Sequence, residues 1–168
     1  MSLQQGWVAL LAGRLAISHP ELSVVNASVS GETTGGALLR LPKLLADTKP
    51  EIVLVELGGN DGLRGYPIPL FRDNLAQLVT LSQASGARVI VVQMEIPPNY
   101  GTRYSGAFHD SYSLIAKQTD SLLAPFLLEG VAIHDGLMQA DGIHPSIAAQ
   151  AMLLENILPT LLAALNEL

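Results

Sequence analysis

The sequence predicts a doubly wound α/β domain built on a parallel sheet, and three observations carry that prediction. Apolar residues at helical spacing alternate along the chain with short β-branched runs. Two of those runs, Ile52-Val53-Leu54-Val55 and Val89-Ile90-Val91-Val92, are continuously apolar, as strands covered on both faces must be. The composition agrees: of 168 residues 49% are hydrophobic and 14% charged, against a usual charged share of about 25%, which excludes a disordered chain and a solvated coiled coil. The length suits one domain spanning residues 1–168.

Trp7, Val8, Leu10, Leu11 and Leu15 fall mostly on one face of a helix that His19-Pro20 stops. Residues 22–26, Leu-Ser-Val-Val-Asn, read as a short strand, and Leu38, Leu41, Leu44 and Leu45 mark a helix over 35–48. The apolar run at 52–55 is the next strand and ends at Gly58-Gly59, with a helix from about Leu70 to Gln83 after it. A second doubly buried strand lies within 87–96 and closes at Pro97-Pro98. Helical spacing from about Phe108 to Leu123, a strand at Val131-Ala132-Ile133 and a last helix from about Ser146 to Leu165 complete the alternation. In such sheets reactive groups gather at the carboxyl ends of the strands, so the loops after 26, 57, 96 and 133 are where chemistry is expected.

Charge and composition narrow the partners. A net charge of −6 without a basic stripe argues against nucleic acid. Without cysteine there is no disulfide framework, thiolate metal site or cysteine nucleophile. Gln150, Glu155, Asn156 and Pro159 interrupt the most apolar stretch, so stable membrane insertion is not expected. The amino terminus shows no basic region followed by an apolar one and a cleavage site.

Three loops hold the residue types that chemistry needs. The first runs from Asn26 to Gly36, where Ser28, Ser30, Thr33 and the glycines suit either a turn with a helix cap or, at Gly31, a backbone N–H brought close to a developing negative charge. The second, Leu57-Gly58-Gly59-Asn60-Asp61-Gly62, reads equally as an Asx turn and as an amide donor aimed at a substrate oxygen. In the third, Asp141-Gly142-Ile143-His144-Pro145, the carboxylate either caps a local turn or accepts Nδ1–H of His144 and turns Nε2 toward a nucleophile. Among the other histidines, His19 stops a helix, His109 reads as part of a polar loop, and His134, beside Asp135, is the rival base. A metal reading would require Asp61, Asp141, His144 and Glu56 to converge without a close-packed ligand motif, and no metal or cofactor is expected.

These three segments, in this order, resemble the conserved blocks of the SGNH or GDSL hydrolases, and in particular the bacterial branch of thioesterases, lysophospholipases and arylesterases. Asn26 to Thr33 resembles the second block, Leu57 to Gly65 the third and Asp141 to Pro145 the last, and the likeness continues through Ile96-Pro97-Pro98-Asn99-Tyr100-Gly101. The resemblance implies a flavodoxin-like three-layer α/β/α fold and a serine mechanism without metal or cofactor. It implies His144 as general base, Asp141 as its orienting carboxylate, and the Gly31 N–H and Asn60 side chain as oxyanion donors. Leu63, Asn99 and Tyr100 lie on the loops expected to meet a small acyl ester or thioester substrate.

The first block of the family, a strand ending in Gly-Asp-Ser-Leu that brings the nucleophile, has no counterpart in these residues. Ser2 follows no strand, and Ser28 and Ser30 belong to the second block, so no serine here takes that role. The expectation is an amino-terminally truncated domain lacking the first strand, inactive as it stands, less stable than the whole, and prone to self-association through the opened sheet edge. Relatives of this branch commonly work in the periplasm, which is the location expected of a full-length form. Two alternatives accompany this reading: a catalytically silent binding or assembly remnant of the fold, and a phosphate-binding flavodoxin-like module using the glycine-rich loops, near which basic residues are few, chiefly Arg40 and Arg64.

Overall fold

A computed structural model of the chain describes residues 3–131 and 133–168. Its elements are α1 (Trp7–Ser18), α2 (Thr34–Thr48), β1 (Ile52–Val55), α3 (Gly59–Leu63), α4 (Ile68–Ala84), β2 (Arg88–Val92), α5 (Thr102–Thr119), β3 (Leu122–Ala124) and α6 (Gln150–Leu165), with single 3₁₀ turns at Leu3–Gln5, Pro98–Tyr100 and Ile147–Ala149. The chain divides into two compact units, Met1–Asn26 with Leu127–Pro159, and Ala27–Phe126 with Thr160–Leu168.

The second unit contains the sheet. Its three strands are parallel in the order β1-β2-β3, with Val53 opposite Val89, Val55 opposite Val91, and Val92 opposite Ala124. Both faces of β2 are buried: Val89 and Val91 join the aromatic core, and Ile90 and Val92 on the other face are equally covered. That is why the run is apolar throughout instead of alternating. Helices α4 and α5 pack on the sheet and α2 packs on α4. Phe71, Phe108 and Tyr112 interlock at the centre, with ring centroids 4.9 to 5.5 Å apart. Each such buried side chain contributes roughly 1.5–3 kcal/mol.

In the first unit, α1 buries Trp7, Leu11 and Leu15 at four-residue spacing. The buried Gln150 accepts the Trp7 N–H at 2.9 Å, which satisfies an amide of the first helical turn that has no partner within α1. Arg14 pairs with Glu155 at 2.6 Å, and Asn156 donates to the Leu127 and Glu129 carbonyls.

The parallel sheet and flanking helices agree with the expected fold class; several elements differ from expectation. Residues 22–26 carry no regular secondary structure and sit in no ladder, because a β-branched run becomes a strand only where a neighbour supplies hydrogen bonds, and β1 instead forms an edge of the sheet. The fifth helix begins six residues before Phe108 and ends at Thr119, where the left-handed φ of 51° at Asp120 breaks it, so that Leu122 and Leu123 belong to a strand. His109 therefore lies on α5 and not in a loop. Val131 and Ile133 occupy turns in place of the expected strand, and Ala132, like Met1 and Ser2, lies outside the described residues. The four polar or proline interruptions do not break the last helix. The span Ile147–Leu165 has the length and apolarity to cross a membrane. In the fold that apolarity serves burial, with Leu153, Leu154, Ile157, Leu161 and Ala164 all covered.

Candidate active site

β1 delivers the chain to Gly58, which adopts φ 114° against the aromatic core. A Cβ there would meet the Tyr112 hydroxyl and the Phe71 ring, so only glycine fits. The chain then turns into α3, a single helical turn where the sequence suggests either an Asx turn or an amide donor. Asn60 occupies this turn and its Nδ2 donates to the Glu32 carbonyl at 3.0 Å. An amide nitrogen carries two hydrogens, so Asn60 can donate a second bond besides this one. Gly31 precedes Glu32 at φ 76°, and its carbonyl accepts from Arg64 at 3.2 Å. The Asn60–Glu32 bond thus joins the turn that carries Asn60 to the loop that holds Gly31.

Behind these turns lies a polar group whose importance the sequence did not reveal. Asp61 is fully buried and its carboxylate accepts the Thr34 N–H at 3.0 Å and the Thr34 hydroxyl at 2.5 Å. Thr34 Oγ1 in turn accepts from Asn74 of α4 at 3.2 Å. Nothing in residue order announces this pairing, since Thr34 and Asp61 lie 27 positions apart; only the presence of an acidic residue beside Asn60 is visible. Glu32 pairs with Arg40 at 2.7 Å, and Arg40 also donates to the Ala27 carbonyl, so this α2 side chain is engaged by the loop that precedes its helix.

Of the residues expected to meet substrate, Leu63 closes α3 and Asn99 and Tyr100 form the 3₁₀ turn after β2. The Tyr100 hydroxyl donates to the Leu63 carbonyl at 2.9 Å, which joins two of the three, and Asn99 is exposed beside them. A parallel tie runs from the Tyr104 hydroxyl to the Tyr66 carbonyl at 2.8 Å.

In the other unit, Asp141 and His144 close on each other within one turn. His144 Nδ1 lies 2.7 Å from Asp141 Oδ2, while Oδ1 accepts the backbone N–H groups of Ile143 and His144 at 2.9 and 3.0 Å. The His144 and Ile143 amides and the His144 ring hold the Asp141 carboxyl at about 2, below its ordinary 3.8. With Nδ1–H on the carboxylate, Nε2 carries the lone pair that can take a proton. The loop is braced by Gln139 N–H to the His144 carbonyl at 2.8 Å and Ser146 N–H to the Leu137 carbonyl at 2.7 Å. The cap and the oriented imidazole, alternatives in sequence, therefore coexist in one carboxylate. His134 is exposed in the turn after Val131. Among the described residues no group of three or more acidic or histidine side chains is placed to hold a metal ion.

The family model described as GDSL-like Lipase/Acylhydrolase family matches residues 2–152. The chain is 52% identical over 161 residues to the esterase TesA of Pseudomonas aeruginosa, a match covering 96% of this chain and 80% of that protein. It is 44% identical over 150 residues to the thioesterase 1/protease 1/lysophospholipase L1 of Escherichia coli strain K12, covering 89% and 71%. Its structure superposes with a TM-score of 0.94 on the psychrotrophic esterase EstA from Pseudoalteromonas sp. inhibited by monoethylphosphonate, at 40% identity over 99% of this chain and 91% of that one.

Proposed function

The chain belongs to the GDSL-like lipase/acylhydrolase family, and on that premise we propose that its site serves hydrolysis of small acyl esters and thioesters, with His144 as general base, Asp141 as its orienting carboxylate, and Gly31 and Asn60 as oxyanion donors. The observation that carries this reading is the 2.7 Å contact between Asp141 and His144 Nδ1. It selects the tautomer in which Nε2 can accept a proton from a serine hydroxyl and return it to the leaving group. The tetrahedral oxyanion would take the Gly31 N–H and the second Asn60 N–H, each such donor being worth about 3 kcal/mol in the transition state. Leu63, Asn99 and Tyr100 would line the acyl or leaving-group side. Thioesters and lysophospholipids are included because relatives of high identity carry those activities in their names.

The 168 residues contain no Gly-Asp-Ser-Leu segment, so in this proposal they supply the base and oxyanion donors but no nucleophile. By themselves they are expected neither to hydrolyse a p-nitrophenyl acyl ester nor to be labelled by a fluorophosphonate. Stoichiometric labelling of any serine would overturn this part of the proposal. With a strand ending in Gly-Asp-Ser-Leu joined ahead of residue 1, hydrolysis is expected to appear. His144→Ala then removes nearly all of it, while His134→Ala keeps most. Equal losses in the two variants would refute the assignment of the base.

A further inference from the structure

We propose that Asp61 is a positioning residue that sets the spacing between the Gly31 N–H and the Asn60 amide by clamping the amino end of α2 to the turn that carries Asn60. The role rests on the acyl-hydrolase reading for its purpose, but the clamp itself is a matter of geometry. A fully buried carboxylate is costly unless its oxygens are bonded. Here they take both the N–H and the hydroxyl of Thr34, the first residue of a 15-residue helix, where amides lack intrahelical partners and the helix dipole favours an anion. Capping alone does not account for this arrangement, because Thr33 already caps α2 by accepting the Gly36 N–H.

The direction of the clamp is determined by its neighbours. Asn74 Nδ2 donates to Thr34 Oγ1, so the hydroxyl hydrogen of Thr34 is left to point at Asp61. Gly31 lies three residues before Thr34 and Asn60 one before Asp61, so the Thr34–Asp61 bond ties together the two segments that carry the donors. Two further ties nearer solvent, Asn60 to the Glu32 carbonyl and Arg64 to the Gly31 carbonyl, close two short rings with it, one through Asn60 and one through Gly31. The segment carrying Asp61 is pinned at both ends by tyrosine hydroxyls, Tyr112 on the Leu57 carbonyl and Tyr104 on the Tyr66 carbonyl. Burial first, and the Asp61 charge second, push both hydroxyls up from their ordinary range, so they remain protonated donors. Movement of the turn would have to break the buried bond first.

The test reads the two donors directly by NMR on the ¹⁵N-labelled 168-residue chain, comparing Asp61→Asn, Thr34→Val and, as a control, Ser82→Ala, an equally buried hydroxyl of α4 that donates to the Leu78 carbonyl. In Asp61→Asn and Thr34→Val the Gly31 N–H and Asn60 side-chain resonances are expected to move together. In Asp61→Asn the Thr34 amide should exchange about tenfold faster or more, as local opening becomes easier. The Leu75 and Ile90 methyl resonances should stay in place in both variants. Ser82→Ala should leave the Gly31 and Asn60 signals unmoved. Unmoved donor signals in a folded Asp61→Asn protein, or equal movement in Ser82→Ala, would overturn the proposal. Should Asp61→Asn fail to fold, Thr34→Val removes the same bond from the other side, and unmoved donor signals there overturn the proposal equally. No hydrolysis enters this readout, so failure of the clamp and failure of the esterase reading are separate results.

Discussion

Replacing Gly58 with alanine tests whether the turn bearing Asn60 is held by the aromatic core. At φ 114° an L-residue occupies a region almost reserved for glycine, and strain of this kind costs about 1–3 kcal/mol. The added Cβ would also lie 2.6 Å from Phe71 Cε2 and closer still to the Tyr112 hydroxyl; overpacking a close-packed core adds a further 1–3 kcal/mol or so. Gly58→Ala should therefore cost about 2–6 kcal/mol, a large part of a typical margin of about 5–15. At about 2–4 °C per kcal/mol for a chain of this size, the melting temperature should fall by roughly 4–24 °C. Tyr112→Phe removes the hydroxyl and leaves the Leu57 carbonyl without that donor, for about 1–2 kcal/mol. Because the hydroxyl is one of the two obstacles, the double variant should lose less than the sum by about 1 kcal/mol or more, with the Phe71 contact preventing full rescue. Thermal and urea unfolding of the four proteins close the cycle. A Gly58→Ala protein melting within about 2 °C of the parent, or strict additivity with Tyr112→Phe, would show that the turn yields freely and that core packing does not position Asn60.

Three other outcomes are expected. In a chain bearing the nucleophile strand, Asn60→Ala should lower kcat roughly 100-fold with KM little changed, and a loss below about tenfold would remove Asn60 from the oxyanion role. Because folding lowers the Asp141 carboxyl from 3.8 to about 2, its ionised form holds the 141–144 turn together. That contribution is complete above about pH 3.8 and is lost as pH falls toward 2, so the Ile143 and His144 amide resonances should titrate with a midpoint near 2. A midpoint at or above 3.8 would contradict the bonding described. Finally, β1 is an edge strand of the three-stranded sheet, and unpaired edges recruit further strands. The 168-residue chain should therefore show a mass in size-exclusion chromatography that rises with concentration, and a monomer at every concentration would refute this.

Elements whose signal is periodic and local were legible from residue order. The alternation of α1, α2, β1, α4 and β2 was visible because apolar spacing of 3.6 residues and continuous β-branched runs survive whatever surrounds them. Weaker elements were not. Leu122 and Leu123 fit a helical face as well as a strand, and only Asp120 in a left-handed conformation decides between them. Residues 22–26 carry strand-like chemistry yet remain outside any ladder, since strand formation depends on a partner and not on propensity alone.

The candidate site divides along the same line. Sequence by itself placed Asp141 within reach of His144, because a carboxylate three residues before an imidazole can meet it within one turn, but left a local cap as an equal reading, and it marked the glycine and asparagine positions as motifs open to a turn or a donor role. Tertiary structure alone decided that Asp61 is buried, that its partner is Thr34, and that Asn60 rests one hydrogen on the Glu32 carbonyl. Those bonds join residues 27 and 28 positions apart. Their existence depends on α2 packing against α4 and on β1 ending beneath Tyr112, and no local spacing encodes such an encounter. A turn states its own geometry in its residues; a buried hydrogen bond between two turns exists only when the core brings them together.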